Sequence, residues 1–586
     1  LGAVRSPPVH PSFTDQTAFI AVDEDGYPLA GWFIERIQNN PEMTQFKEQY
    51  QKDLKWQSRR IGVLQGWIRS KSFFCLLLGF SAFILFANLG LTPLWGSEGR
   101  WAVIARSMLR SGDLLLPTLG IHDYWDKPLF SYWQILPFAS INGDVSEFTA
   151  RFPSAVWALV MLLLTHRLAK KWFGEQTALL SVGTLATSYS FVFWGRNAQV
   201  EMTNAAMILL CLWYFIKHKS DKGYRWVYLL GILMAVGANM KGLTLYAVPI
   251  FSILLLSVIK WEWSWMPPVK VLAPTSLLSM AVYFAVPVMA SIHGATWEPL
   301  RWIWYENVLR FFGQYDHKSP FYTYFVNIFY LAAPWSFVLP FAIIKFLRGV
   351  RRHLSQIPEA LILFGAIFIF FTLSGSRRSY YLLPILPFAA ILVADMLREF
   401  AAGALAWGIQ GAVRAVGVFL GFATLALFGV TLLFPRIFAV GTGSLWYVSV
   451  LLGLLGAAMV ASTLKKYAWG MVGAVFAVWL IYVMGMVPLI EEGPNLKTQV
   501  AEVSTLGRPY AFLNIEEAKI IFYLDQPYQV FYDKGHALNW ARQANGVLIA
   551  SRDFSDPSWE CVVNGHHWQA VIPRKDSSLN SSRRSR

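Results

Sequence analysis

The sequence predicts a polytopic α-helical membrane protein, and three observations carry that reading. Apolar runs of about 17–25 residues recur along the chain, the length that crosses a bilayer. The mean hydropathy over 586 residues is +0.42. The 26 Trp and 24 Tyr suit aromatic belts at the membrane interfaces. A β-barrel would instead show short alternating segments. The formal charge of +15 does not point to nucleic acid. Its basic residues mostly flank apolar runs, where topology and anionic lipid account for them. Cys75 and Cys211 fall in apolar spans and Cys561 lies far along the chain, so no disulfide framework or set of zinc ligands follows.

Residues 1–70 are polar and mixed, and read as a small cytoplasmic extension. About thirteen spans follow, near 73–91, 152–172, 177–195, 202–217, 226–239, 243–259, 271–292, 323–345, 358–374, 379–397, 413–434, 444–463 and 469–490. The pair 226–259 is interrupted only by Asn239-Met-Lys-Gly242 and also reads as one long tilted helix. The pair 358–397 is broken more clearly by Gly375-Ser-Arg-Arg378. Lys and Arg crowd the N-terminal region (Arg59, Arg60, Arg69, Lys71) and the loops after even spans, among them Lys170-Lys171, Lys217 with Lys219, and Lys465-Lys466. The positive-inside rule puts these loops in the cytoplasm. The segment 94–151, the loop 293–322 and the C-terminal region from 491 then lie outside, which needs an odd number of spans. Residues 491–574 alternate strand-like and helix-like stretches (508–513, 516–524, 528–532, 537–543, 546–550), as in a small extracytoplasmic α/β domain. The Ser/Arg-rich tail 575–586 reads as disordered.

Five polar groups fall on the outer face by this count, and each has a bland reading beside a functional one. In Ser97-Glu-Gly-Arg-Trp101, Ser97 reads as the N-cap of an amphipathic helix with Trp101, Ile104, Ala105 and Met108 on one face. Glu98 is then a first-turn carboxylate, either a cap or a reactive group, and Arg100, Arg106 and Arg110 either snorkel or bind a headgroup. In Tyr124-Trp-Asp-Lys-Pro128, Asp126 and Lys127 either make a turn or hold a phosphate or metal. Glu201 sits at the outer mouth of a span, as a topological anchor or a functional acid. Glu306 and Arg310 stand i,i+4 as a surface pair, or Arg310 meets an anionic headgroup, with His317 and Lys318 as weaker candidates. Arg377 and Arg378 precede Tyr380 and Tyr381 on the side where positive charge is unusual, and Lys241 joins them; such placement fits phosphate binding.

These residues resemble the aminoarabinose-transferase and protein O-mannosyltransferase superfamily of GT-C glycosyltransferases. Ser97-Glu-Gly-Arg-Trp-Ala102 with Ser111-Gly-Asp113 is similar to that family's outer-loop Asp-Glu-x-Arg-Tyr-Ala and Ser-Gly-Asp. Tyr124-Trp-Asp-Lys-Pro-Leu129, Ala150-Arg-Phe-Pro-Ser154, Lys241-Gly242, Glu306-Asn-Val-Leu-Arg-Phe311 and Arg378-Ser-Tyr-Tyr-Leu-Leu-Pro384 resemble later elements in the family's order. The resemblance implies a GT-C fold over about 73–400 and inverting transfer from a polyprenyl-phosphate sugar on the non-cytoplasmic side, without a nucleotide sugar. It implies that Arg100, Lys127, Arg310, Arg378 and Lys241 stabilise the lipid-phosphate leaving group. Glu98, or else Glu201, would act as base, supported by Ser97, Tyr124, Asp126, Glu306, Tyr380 and Tyr381.

The chain departs from the pattern at three points. Ser97 stands where the family has its usual catalytic acid, Asp126 replaces a Glu, and Asn307 stands where the aminoarabinose branch often has His. The last argues against a metal site built from that Glu and His; a divalent metal is left open, with Asp126 as candidate ligand. The expected enzyme works at the plasma (inner) membrane with membrane lipids and an acceptor in the cell envelope, a lipid A or lipopolysaccharide type being favoured. A transporter or flippase of lipid-linked sugars, a protein O-mannosyltransferase, and an assembly subunit with a decayed site are the rivals. Nearly charge-free spans with charges gathered at one face favour chemistry over transport.

Overall fold

A computed structural model of the chain describes residues 71–309, 319–349, 354–433, 445–492 and 495–574. The expectations for residues 1–70, for Arg310, His317 and Lys318, and for the tail 575–586 lie outside the described residues.

Apolar sequence becomes helix at each expected span, but the helices differ in length and continuity. Among the described residues, five are long and apolar enough to cross a membrane: Glu147–Phe173, Val269–His293, Ser379–Ala402, Trp407–Ala426 and Ala468–Met486. Glu175–Ala186 and Tyr189–Gly195 make a sixth if taken together, bent by 64°. The apolar helices Lys71–Phe86, Thr244–Lys260, Glu359–Leu373 and Val448–Leu464 are shorter. The expected span 323–345 is interrupted: Thr323–Leu331 gives way to a 3₁₀ turn, Trp335–Phe337, and then to Leu339–Gly349. Pro334 at the break has no N–H to continue a helix. The run 226–259 is two helices, Arg225–Lys241 and Thr244–Lys260, with Gly242 between them at φ 102. That left-handed region favours glycine, so the break is written in the sequence.

Helix Glu147–Phe173 has signals at both ends. Ser146 Oγ accepts from the Thr149 N–H at 3.2 Å, and Thr149 Oγ1 accepts from the Ser146 N–H at 2.8 Å. Lys170 and Lys171 close the last turn, where they complement the helix dipole. Helix Leu386–Ala402 is buried on nearly every side and packs on Glu175–Ala186 and Glu359–Leu373. It is apolar on every side from Leu386 to Ala394, as such a position requires, and buried Asp395 near its end is paired with Lys345 and Arg398.

The polar stretch after the first span folds into the loop helix Glu98–Ser111, a two-strand hairpin of β1 (Thr118–Leu119) and β2 (His122–Asp123), and the short helices Phe130–Trp133 and Leu136–Asn142. Trp101, Ile104, Ala105 and Met108 are buried on one face of the loop helix, as their spacing predicts. Ser97 is not the cap expected of it. Its backbone sits at φ −87, ψ 0 and its side chain makes no capping bond. The hydroxyl instead accepts from Arg100 Nη2 at 2.8 Å.

The C-terminal region is a five-stranded sheet, order β4-β3-β5-β7-β6. β3 (Tyr510–Leu513) pairs in parallel with β4 (Tyr528–Phe531) and with β5 (Val547–Ser551); β7 (Trp568–Pro573) is antiparallel to β5 and to β6 (Trp559–Asn564). Alternation along β3 fills two cores. Phe512 joins Val500, Val503, Ile520 and Leu524 on one face, while Ala511 and Leu513 join Ala537 and Ala541 on the other. β6, β7 and the helix Leu496–Thr505 were not anticipated. The dipeptide Asn564-Gly565 between two β-rich runs was the available signal for the hairpin.

Helix Ala518–Leu524 of this domain lies on the loop helix. Gly99 permits the approach, because a Cβ there would sit 2.6 Å from the Lys519 backbone nitrogen. Arg106 donates to the Phe522 carbonyl at 2.7 Å, with its guanidinium 3.8 Å from the Phe522 ring centroid. Arg110 donates to both Asp525 oxygens at 2.7 and 2.8 Å, and holds that carboxyl below its usual range. Tyr523 Oη accepts from the Leu94 N–H at 2.7 Å and donates to Glu147 at 3.1 Å. Arg106 and Arg110 thus neither snorkel nor face a headgroup; they fasten two parts of the chain.

Candidate functional site

A cavity of about 730 Å³ opens where all five polar groups converge. The loop helix contributes Ser97, Arg100 and Trp101, and the stretch after the hairpin Tyr124, Asp126 and Lys127. The mouth of helix Glu201–His218 brings Gln199, Glu201 and Asn204; the break between two helices brings Lys241; the turn at Arg378 brings that residue with Tyr380 and Tyr381. Of the predicted site residues that lie among the described ones, all line this cavity except Glu98.

Two polar chains organise it. In the first, Arg100 Nη1 donates to Tyr124 Oη at 2.6 Å, and Tyr124 donates to Asp126 Oδ2 at 2.6 Å. Lys127 Nζ donates to Asp126 Oδ1 at 2.7 Å and to Glu306 Oε2 at 2.9 Å. Burial alone would raise the Asp126 carboxyl, but the Lys127 ammonium and the bonds from Lys127 and Tyr124 override it and bring it down to about 2. Burial and the adjoining Asp126 carboxylate push the Tyr124 phenol up, so it stays a donor. In the second chain Lys241 is ion-paired with Glu201, and its ammonium lies 5.3 and 5.2 Å from the ring centroids of Tyr380 and Tyr381. The Arg378 guanidinium is 5.9 Å from the Tyr380 ring centroid. These are cation–π distances.

Glu306 pairs with Lys127, and the i,i+4 pair expected with Arg310 lies outside the described residues. Its segment, Trp304–Leu309, is a π-helical turn. The Asp126 oxygens are taken by Lys127 and Tyr124, which leaves this carboxylate poorly suited to a cation. Among the described residues, no group of three or more His, Cys, Asp or Glu is arranged to hold a metal.

Glu98 is placed elsewhere. It is 1% exposed and makes a buried pair with Arg151, Nη2 to Oε2 at 2.7 Å and Nε to Oε1 at 2.9 Å. It faces a second cavity of about 1010 Å³, on the side of the C-terminal domain. Removing one partner of such a pair costs about 3–5 kcal/mol.

Sequence reasoning missed the neutral amides. Asn307 Oδ1 accepts from the Leu243 N–H at 2.7 Å and fills the space a Cβ on Gly242 would need. It thereby fixes the turn that presents Lys241. Gln199 and Asn204 line the cavity without a charge to mark them.

Fold and cavity together define a polytopic membrane protein of the GT-C glycosyltransferase fold, similar to the aminoarabinose-transferase and protein O-mannosyltransferase group. ArnT from Cupriavidus metallidurans, solved bound to undecaprenyl phosphate, superposes with a TM-score of 0.64 at 18% identity, covering 86% of this chain and 99% of that one. The family model described as dolichyl-phosphate-mannose-protein mannosyltransferase matches residues 126–288. In sequence the chain is 29% identical over 331 residues to an uncharacterised protein of Aquifex aeolicus, spanning 54% of this chain and 62% of that protein. It is 27% identical over 376 residues to the undecaprenyl phosphate-alpha-4-amino-4-deoxy-L-arabinose arabinosyl transferase of Pseudomonas aeruginosa, spanning 61% of this chain and 65% of that enzyme. The chain thus matches less than two thirds of the length of these curated relatives.

Proposed function

We propose that this chain is an integral membrane glycosyltransferase. It moves a sugar from a polyprenyl-phosphate donor to a cell-envelope acceptor on the extracytoplasmic face, with inversion at the anomeric carbon. One observation carries the reading: Arg100, Lys127, Lys241 and Arg378, from four separate stretches of chain, meet in one cavity beside Glu201. Cations held in place by carboxylates and aromatic rings need no reorganisation when a lipid phosphate departs, and that preorganisation lowers the barrier. The donor phosphate lies among these cations, with Tyr380 and Tyr381 beside it.

Glu201 is the base. It lines the cavity and is held by Lys241, whereas both oxygens of Glu98 are engaged away from the cavity. Ser97, Asp126, Tyr124 and Glu306 orient the cations. The organisation is a cytoplasmic extension over 1–70, about thirteen spans over 71–490 with the outer loop 94–151, and an extracytoplasmic α/β domain over 491–574, in the plasma (inner) membrane. The relative in Pseudomonas aeruginosa, by its name an undecaprenyl phosphate-alpha-4-amino-4-deoxy-L-arabinose arabinosyl transferase, supports the polyprenyl-phosphate sugar donor, and a lipid A or lipopolysaccharide type of acceptor is the first reading. The family model over 126–288 supports a protein acceptor as the second reading.

The test is release of free undecaprenyl phosphate from a labelled undecaprenyl-phosphate sugar by purified protein, with lipid A and an unfolded polypeptide supplied in separate arms. Wild type releases it with one acceptor. Glu201→Gln loses about 10²–10⁴-fold. Movement of the donor across vesicles without release would establish transport instead.

A further inference from the structure

We propose that the buried Glu98–Arg151 pair is a positioning device that sets Glu201 against the loop helix carrying Arg100. The inference rests on the assignment of Glu201 as base. Glu98 accepts four hydrogen bonds: at Oε1 from the Ala198 N–H at 2.7 Å and Arg151 Nε at 2.9 Å, and at Oε2 from the Trp95 N–H at 2.6 Å and Arg151 Nη2 at 2.7 Å. Arg151 directs its other N–H groups to the carbonyls of Leu89 at 2.8 Å, Thr92 at 2.9 Å and Pro93 at 2.8 Å. One ion pair therefore ties the end of the first span and the start of the loop helix to the connection 196–200. That connection runs directly into helix Glu201–His218.

The bond from Ala198 matters most. Ala198 is three residues before Glu201, and Gln199 between them lines the same cavity. Ser97 and Arg100 flank Glu98 on the loop helix and also face that cavity. Glu98 thus joins the two walls from behind, without touching the space in which a substrate would react. Fixing reacting groups to within a fraction of an ångström is a large part of catalysis, and a shift of 1 Å can cost about 100-fold. The carboxylate of Glu98 thus supplies four acceptor sites, which no neutral side chain of the same size supplies.

A pair that served stability alone would change the amount of folded protein but not the turnover of what folds. The experiment therefore compares wild type, Glu98→Gln, Arg151→Lys, Glu201→Gln and the double variant Glu98→Gln/Glu201→Gln. Turnover of a labelled undecaprenyl-phosphate sugar is normalised to the protein that binds undecaprenyl phosphate. Glu98→Gln and Arg151→Lys are expected to lower turnover about 10- to 100-fold, with donor KM changed less than about threefold. In the Glu201→Gln background the Glu98 change costs less than about threefold, since two residues acting through one group are not additive. Hydrogen exchange supplies an arm independent of turnover: amides 196–204 lose protection in Glu98→Gln, while 124–127 do not.

Equal losses in both backgrounds, or unchanged protection at 196–204, overturn the proposal. Loss of all turnover in Glu98→Gln with Glu201→Gln unimpaired also overturns it, and returns Glu98 to the role of base. Wild type that turns over no sugar donor defeats the function proposed above, and the exchange arm still decides the positioning role.

Discussion

Replacing Lys127 with Met removes one charge and little volume, and the structure sets the size of the effect. The ammonium bridges Asp126 and Glu306 at 2.7 and 2.9 Å, with about one fifth of each side chain exposed. Against the effect of burial, the Asp126 carboxyl is brought down to about 2 in the folded chain by Lys127 first, and then by Tyr124 and Glu306. Such a lowering is worth on the order of 2 kcal/mol of stability at neutral pH, of which Lys127 supplies the larger share. The sign is that of a depressed acid. The stabilisation is complete above about pH 4 and lost as pH falls towards 2, so the gap between wild type and Lys127→Met should close on acidification. Without the ammonium, Asp126 and Glu306 face an apolar side chain with no cation between them, and the two carboxylates repel. A lost cationic partner of the leaving phosphate costs about 100- to 1000-fold in turnover. The assay is undecaprenyl phosphate release, read with thermal unfolding in detergent and with Lys127→Arg as the charge-retaining control. Full turnover in Lys127→Met with an unchanged unfolding midpoint at pH 7 would refute both the phosphate role and the bridging role.

Two further substitutions probe the scaffold. Gly242→Ala meets both φ 102 and the Asn307 oxygen; a cost of about 1–3 kcal/mol is expected from the backbone alone, with turnover falling at least about tenfold as Lys241 shifts, checked by kinetics beside Asn307→Ala. Gly99→Leu separates the loop helix from helix Ala518–Leu524, where the Lys519 backbone leaves no room; limited proteolysis should then cut between the membrane region and the C-terminal domain in the variant and not in wild type.

Much of the site was legible because charge is conspicuous in a chain that is 55% hydrophobic. Lys127, Lys241, Arg378 and Glu201 stand out for that reason, and all four meet in the cavity. Glu98 stands out equally, but a first-turn carboxylate on an amphipathic helix reads as either a cap or a reactive group until its partner is known. Arg151 is 53 residues away and inside a helix, so no local pattern joins the two. Asn307 carries no charge, and its importance lies in a backbone turn 64 residues earlier. Helix positions were legible from the apolar runs. Helix continuity was less so, because the 64° bend before Tyr189 falls at Thr187-Ser188, with no Pro or Gly to mark it.

The clasp between Arg110 and Asp525 also counts crossings. A loop near the start of the membrane region and a domain after its end touch through Gly99, Arg106 and Tyr523, so both lie on one side of the bilayer, whichever side that is. The chain between them must therefore cross an even number of times. The twelve expected spans from 152–172 to 469–490 obey that parity. Gaining or losing a single crossing would put Arg110 and Asp525 on opposite faces, and the loop helix would lose the partner that holds it.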